Sequence, residues 1–115
     1  MSESADRRRP ANFREFWQYY VGEHRKASTR LLHFVGTSSA LVLIAATIVL
    51  RQPWLLLAVP VAAYGFAWTG HFVFEKNTPA TFRYPLSSLA GDFRMYGLMW
   101  RGRMTEEVAR LTGSG

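Results

Sequence analysis

Two long apolar runs dominate the hydropathy pattern of the chain, one over residues 31–50 and the other over residues 54–74. Only the tripeptide Arg51-Gln52-Pro53 separates them, which leaves room for little more than a tight reversal. At 1.5 Å per residue, about 20 helical residues reach roughly the 30 Å of a bilayer's hydrocarbon. The pattern therefore predicts an all-α fold built on an antiparallel hairpin of two membrane-spanning helices. The alternative is a hairpin buried inside a soluble helical bundle.

The residues before the hairpin predict an amphipathic helix at the membrane interface. Asn12 suits the N-cap, Glu15 follows at the spacing of a capping box, and Gly22 suits the helix end. Aromatic residues recur at helical spacing on one face of this helix, namely Phe13, Phe16, Trp17 and Tyr20. Such a stripe is more typical of packing than of a ligand site. Ser28 or Thr29 is predicted to cap the first apolar helix.

Two more helices are predicted after the hairpin. Turn-forming residues over 76–80 and the dipeptide Tyr84-Pro85 separate them from the second apolar run. Ser87 or Ser88 is predicted to cap a helix over residues 89–101, and Thr105 to begin a short last helix. We therefore expect one helical membrane domain over residues 12–112, preceded by a disordered basic tail over residues 1–11.

The distribution of positive charge predicts how the hairpin is oriented. Seven Lys and Arg residues lie in residues 1–30, one lies in the loop, and six lie in residues 75–115. Because positive charge marks the cytoplasmic side, we expect a multi-pass membrane protein, of the inner or plasma membrane if bacterial, with both termini cytoplasmic. The net charge of +6 then reflects topology and contact with anionic membrane lipids, and no nucleic-acid partner is expected. A homo-oligomer is left open.

The three histidines fall where the hairpin would bring them together. His33 opens the first apolar run and His71 closes the second, so both lie at the same end, and His24 lies just upstream. Glu75 follows His71 by one helical turn, and Asp92 is a further candidate carboxylate. Imidazoles with a carboxylate form the ligand set of non-haem Fe(II) sites, and zinc uses the same residues. The sequence therefore predicts a metal site at this end.

Other interpretations of the same residues stay open at the sequence level. The histidines are also consistent with a bis-histidine haem protein, in which His33 and His71 are the axial ligands. A third interpretation is a non-catalytic membrane adaptor with interfacial histidines and basic ends that bind lipid. Glu75 is also suited to a surface ion pair with Lys76 or Arg83. Asp92 is likewise suited to an ion pair with Arg94 or Arg101.

Three sequence stretches carry a resemblance to a known family. They are Tyr19-Tyr20-Val21-Gly22-Glu23-His24, then Thr29-Arg30-Leu31-Leu32-His33-Phe34-Val35-Gly36, then Gly70-His71-Phe72-Val73-Phe74-Glu75-Lys76-Asn77-Thr78-Pro79-Ala80 after the hairpin. Over about residues 13 to 95, the chain resembles the small membrane proteins related to the fungal 2-hydroxy fatty acid dioxygenase. It is more similar to their compact bacterial branch than to the longer fungal enzymes, which have more membrane segments.

The resemblance implies an Fe(II)-dependent enzyme that uses O2 to shorten a 2-hydroxy fatty acid by one carbon. The family's essential histidines would correspond to His24, His33 and His71, and Glu75 is carried over with its Gly-His-x-x-x-Glu motif. A 2-hydroxy acid offers its hydroxyl and carboxylate to the iron, and its alkyl chain would lie along the hairpin. Lys76 or Arg83 is our candidate for binding the substrate carboxylate.

Overall fold

The computed structural model describes residues 10–113, and every regular element in that range is helical. The helices are α1 (Phe13–Gly22), α2 (Ala27–Leu50), α3 (Ala58–Thr69), α4 (Pro85–Trp100) and α5 (Met104–Thr112). A 3-10 turn, Pro53–Leu57, leads into α3, and a π-helical turn, Gly70–Glu75, follows it. Residues 53–75 thus form one helical rod, and a short 3-10 turn, Ala80–Phe82, precedes α4. The predicted all-α fold is confirmed.

The central feature is a hairpin of α2 against the rod formed by residues 53–75. The chain reverses at Arg51, whose left-handed backbone (φ 54°) ends α2. Both arms are long and apolar enough to cross a membrane, yet only 17% of each apolar window is buried within the protein. The core helix of a soluble protein would be mostly buried. The low burial therefore favours the membrane hairpin over the soluble bundle.

A small protein core lies beside one end of the hairpin. It contains the aromatic stripe of α1 together with residues of α4 and α5, namely Phe16, Trp17, Tyr20, Met95, Met104 and Val108. The stripe thus packs against protein, as expected of packing residues, and it is not the aromatic face of an interfacial helix that the sequence predicts for α1, since α4 and α5 cover it. The exposed apolar residues of α4 recur at helical spacing on its other side (Leu86, Leu89, Phe93 and Trp100). That exposed stripe suits a helix at the membrane interface.

The start of α1 follows the prediction closely. Asn12 is the N-cap, and its side-chain oxygen accepts a hydrogen bond of 3.0 Å from the backbone N–H of Glu15. The Glu15 carboxylate in turn accepts a hydrogen bond of 2.9 Å from the N–H of Ala11, one residue earlier than a capping box requires. Local sequence signals were sufficient here because all three residues are neighbours.

The predicted caps of α2 and α4 are wrong. Helix α2 begins at Ala27, so Ser28 and Thr29 lie inside its first turn. Its N-cap residue is Lys26, whose side chain makes no capping hydrogen bond. Helix α4 begins at Pro85, since the fixed φ of proline is favourable at a first helical position. Ser87 and Ser88 therefore lie within the helix. Of the predicted tail, residues 1–9 lie outside the described residues, and the domain division stays a prediction.

Candidate metal centre

The three histidines converge at the end of the hairpin next to the small core. His24 lies in the connector between α1 and α2, His33 lies on α2, and His71 lies in the π-helical turn. One ligand nitrogen from each ring lies within 4.8 Å of the others, and all three side chains are buried. The predicted convergence is confirmed, and the cluster draws on three separate segments of the chain.

Close approach of the two hairpin arms places His71 beside His33. A Cβ atom on Gly70 would lie only 2.9 Å from the Cγ2 atom of Thr29 and 3.2 Å from its Cα. Any larger side chain at this position would force Thr29 to shift away from the second arm. The arms therefore meet at Gly70, and the next residue, His71, enters the buried cluster.

The connector that carries His24 is held in place by Arg30. The guanidinium of this nearly buried residue donates hydrogen bonds to the carbonyls of His24 (2.9 Å) and Arg25 (2.6 Å). Two carbonyls that would otherwise lack partners are satisfied by one cation on the neighbouring helix. The position of His24 is thus tied to the same helix that carries His33.

Each imidazole of the cluster has an oxygen atom next to its Nδ1. The pairs are His24 with the Tyr20 carbonyl (2.6 Å), His33 with the Thr29 carbonyl (3.3 Å), and His71 with the Asn77 Oδ1 (2.7 Å). An acceptor at Nδ1 places the ring proton there, so each neutral ring keeps a lone pair on Nε2. Histidines that bind metals almost always donate their other N–H to such a partner.

The amide of Asn77 is oriented by a second contact. Its Nδ2 donates a hydrogen bond of 3.2 Å to the carbonyl of Glu23, so its oxygen must face the ring of His71. The backbone N–H of Asn77 also donates to the carbonyl of His71 at 3.0 Å. Asn77 therefore fixes the ring of His71 and joins it to the connector before His24.

The chemistry of the cluster fits a bound cation. The Nε2 atoms of His24 and His33 lie 3.1 Å apart, and both Nδ1 protons are already directed at carbonyls. Burial, aided by the two neighbouring imidazoles, lowers the pKa of His24 well below its ordinary value. Two neutral nitrogens that face each other have no proton to share. A metal ion that accepts both lone pairs, and that of His71, suits this donor set.

Asp92 lies at the edge of the cluster. Its Oδ1 is 3.9 Å from the Nε2 of His33 and accepts a hydrogen bond from the hydroxyl of Tyr20. Burial raises the pKa of the Asp92 carboxyl to about 6, although the Tyr20 hydrogen bond opposes the shift. Burial, and then the charge of Asp92, raise the pKa of Tyr20 well above its usual value, so Tyr20 remains the donor. The arginine nearest to Asp92 in sequence, Arg94, pairs with Glu107 at 3.9 Å.

Glu75 occupies a different position from the one that regular helical spacing predicts. The π-helical turn has a wider period than an α-helix, so residues four apart no longer share one face as closely. The Oε2 of Glu75 accepts a hydrogen bond of 2.6 Å from the backbone N–H of Lys26, at the start of α2. Among the described residues, the convergent group consists of the three histidines. Glu75 and Asp92 stay predictions as metal ligands.

The two cations predicted to bind the substrate carboxylate are exposed. Lys76 has a left-handed backbone (φ 60°) and ends the π-helical turn. The guanidinium of Arg83 lies 5.7 Å from the centre of the Tyr84 ring. Their substrate roles stay predictions.

A cleft of about 310 Å³ opens next to His33, between α2, α3 and the first half of α4. Its polar lining residues are His33, Thr37, Tyr64 and Asp92, and the rest of its lining is apolar. Clefts of this kind, apolar with a few convergent polar groups, are typical of small-molecule sites.

Sequence reasoning missed the residues that orient the histidines. Tyr20 precedes His24 by four residues, which is the spacing at which a helix carbonyl reaches a following side chain. The sequence pattern places Asn77 in a turn and Arg30 among the charges that flank the hairpin, and it gives no sign of their contacts with the histidines. The helical spacing of Tyr20 was a usable signal. Nothing local in the sequence pairs Asn77 with Glu23, since 54 positions separate them.

Fold and site together define an all-helical protein with a membrane-type hairpin and a buried three-histidine centre suited to a metal ion. Within that class, the chain belongs to the family described as 2-hydroxy-palmitic acid dioxygenase Mpo1-like, whose model matches residues 10–104. The family resemblance predicted from the histidine motifs is thereby confirmed. No curated protein and no solved structure matches the chain significantly.

Proposed function

We propose that this protein is an Fe(II)-dependent dioxygenase of the membrane that shortens 2-hydroxy fatty acids by one carbon, a reaction of lipid α-oxidation. The observation that carries the proposal is the buried cluster of His24, His33 and His71, whose ligand nitrogens lie within 4.8 Å of one another while each Nδ1 has an oxygen beside it. The family description supports the substrate class and the use of O2.

The residues of the chain have separable roles in this proposal. His24, His33 and His71 would hold the ion, and Asp92 or Glu75 would supply a carboxylate. Bound iron would supply the activation of O2 at this centre. The carbonyls of Tyr20 and Thr29 and the side-chain oxygen of Asn77 orient the imidazoles by accepting hydrogen bonds from their N–H groups. Burial of all three rings limits the access of water to the centre.

The overall reaction balances without an external reductant. One 2-hydroxy acid and one O2 give the acid one carbon shorter, one CO2 and one water. We propose that Lys76 or Arg83 binds the substrate carboxylate, because both are exposed cations on the segment that follows His71. Thr37, Tyr64 and Asp92, the polar residues of the cleft beside His33, are placed to contact the polar part of a ligand there.

The packing of the three rings disfavours the haem alternative. The ring centre of His24 lies 4.5 Å from that of His33 and 4.4 Å from that of His71. The rings of His33 and His71 are themselves 5.1 Å apart. A planar macrocycle between His33 and His71 would have to displace His24.

We propose that the hairpin spans the membrane with both termini on the cytoplasmic side. The support is the length and apolar composition of its two arms and the 7:1:6 distribution of Lys and Arg about them. Reporter fusions at the N-terminus, at Gln52 and at the C-terminus test this orientation. A cytoplasmic signal from the Gln52 fusion would contradict it.

The decisive experiment is oxygen uptake by iron-loaded protein, reconstituted in vesicles, with a panel of 2-hydroxy fatty acids. We expect one product molecule, one carbon shorter, per O2 consumed. His33→Ala and His71→Ala should each reduce turnover at least about 100-fold, because even residues that only support metal ligands contribute up to that factor. Membrane insertion should be unchanged, since the apolar hairpin is intact.

The matched control is Gln52→Ala, at the opposite end of the hairpin, which should retain normal turnover and iron content. Iron content is measured on anaerobically purified protein alongside activity. Full activity in either histidine variant, or failure of the parent protein to retain iron, would reject the enzyme and favour the membrane adaptor.

A further inference from the structure

The cleft beside His33 has a polar end and an apolar end. His33 and Asp92 lie at the polar end, and Thr37 lies one helical turn further along α2. Beyond Thr37 the α2 wall consists of Ala40, Leu41 and Ile44. The eleven residues from His33 to Ile44 correspond to about 16 Å along the helix. The cleft thus extends away from the histidine cluster into the apolar half of the hairpin.

Its dimensions suit a single alkyl chain. A depth of about 16 Å is roughly half of the 30 Å hydrocarbon thickness of a bilayer, which is the depth of one leaflet. The volume of about 310 Å³ is at the lower end of the range for ligand sites, roughly 300–1,000 Å³. This volume favours one acyl chain over the two chains of a phospholipid.

The rim of the cleft is open toward the surroundings of the hairpin. Leu41 on α2 and Leu89 and Phe93 on α4 line the cleft and are also 41%, 45% and 51% exposed. If the hairpin spans a bilayer, these rim residues face lipid tails. A chain in the adjoining leaflet can therefore enter sideways without passing through water.

We propose that this cleft binds the alkyl chain of a fatty acid drawn from the adjoining leaflet, and that Ile44 and Val59 at its far end limit the chain length. This proposal rests on the proposed function for the identity of the polar end of the fatty acid, which is its 2-hydroxy acid group. The 2-hydroxyl end of the ligand lies toward the polar end of the cleft at His33 and Asp92, and the methyl end lies between α2 and α3.

Photocrosslinking tests the site without iron or turnover. The full-length protein in phosphatidylcholine vesicles is exposed to a palmitic acid analogue with a diazirine at its methyl end, and the adducts are mapped by mass spectrometry. We expect adducts concentrated at Ile44 and Val59. The outward-facing residues Val42 and Ile48 are 67% and 71% exposed. Adducts spread equally over such residues would mean that the probe contacts the protein only as annular lipid, and they would overturn the proposal.

The length limit is tested by Ile44→Trp, which fills the far end of the cleft at a residue that is 39% exposed, so the fold tolerates the larger ring. The labelling at Val59 should fall about tenfold or more for a 16-carbon probe and change less than about twofold for a 10-carbon probe. The matched control, Val42→Trp, adds the same ring to the outward face of α2. It should leave the labelling at Val59 unchanged for both probes.

Turnover then separates this proposal from the proposed function. In Ile44→Trp, activity should fall on long 2-hydroxy acids and persist on short ones. Equal activity on all chain lengths would reject the length limit while the dioxygenase stands. Crosslinks confined to the far end of the cleft, in a protein that consumes no O2, would support the alkyl site and reject the enzyme.

Discussion

The two ends of the hairpin are built for different surroundings. At the histidine end, Phe16 and Tyr20 are 2% and 0% exposed, and polar groups bond to one another within the protein. Near the loop end, large apolar side chains have no protein cover, and Val49 and Leu57 are 76% and 77% exposed. The first region supplies its own partners, as a water-soluble core does, while the second exposes apolar surface that the hydrocarbon around the proposed membrane hairpin would cover. The histidine cluster lies in the part that the protein encloses.

The two regions should differ most in their response to an added charge. Val42→Arg puts a cation on the exposed face near the middle of α2, and we expect it to cost about 2.5–3.5 kcal/mol of insertion free energy. Gln18→Arg, on the exposed face of α1, should change stability by less than about 0.5 kcal/mol. Insertion assays and unfolding in micelles measure the two effects. Equal, small effects would show that hydrocarbon does not surround the hairpin.

A second test concerns the partners that orient the histidines. Asn77→Ala removes the acceptor at the Nδ1 of His71, and we expect metal affinity to fall by about 10–100-fold. Asn77→Asp retains an oxygen acceptor and should recover most of that loss. Competition with a metal chelator measures the affinities.

Thr78→Ala is the control for this series, because Thr78 is exposed and adjacent in sequence. An unchanged affinity in Asn77→Ala would remove Asn77 from the metal centre. A loss in Thr78→Ala of the same size would attribute the effect to the turn as a whole.

The third and smallest test compares two glycines of α4. A Cβ on Gly91 would lie 2.9 Å from the Tyr20 ring, whereas one on Gly97 meets nothing within 4 Å. Gly91→Ala should therefore destabilise the fold by about 1–3 kcal/mol through overpacking. Gly97→Ala should stabilise it by about 0.5–1 kcal/mol, since alanine favours helix interiors. Thermal unfolding of both variants in micelles measures the difference, and equal shifts would contradict the tight contact at Tyr20.

The sequence was sufficient to predict the features that depend on local pattern. The hairpin follows from two apolar runs and a short break, and α1 follows from Asn12 and the aromatic stripe that it precedes. The convergence of His33 and His71 follows from the hairpin alone, because an antiparallel pair brings the start of one arm to the end of the other, and His24 lies only nine residues before His33.

The remaining features depend on contacts between distant residues. At the start of α2, the backbone N–H of Lys26 is capped by the carboxylate of Glu75, which lies 49 positions away in the chain. The local candidates Ser28 and Thr29 are therefore not needed as caps. The π-helical turn that re-aims Glu75 has no local signature in the stretch Gly70–Glu75. The acceptor for His71 is likewise fixed only when Asn77 meets Glu23.

The packing of α1 has a consequence for the order in which the protein is assembled. Trp17 on α1 donates a hydrogen bond of 2.6 Å to Glu107 on α5, across 90 positions of the chain. During synthesis α1 is made first, and its core partners on α4 and α5 are made only after both arms of the hairpin. Until α4 and α5 have been made, α1 lacks the core residues against which it packs, among them Met95 and Val108. The protein surroundings of the histidine cluster are therefore completed late in biosynthesis, when α4 and α5 have been made.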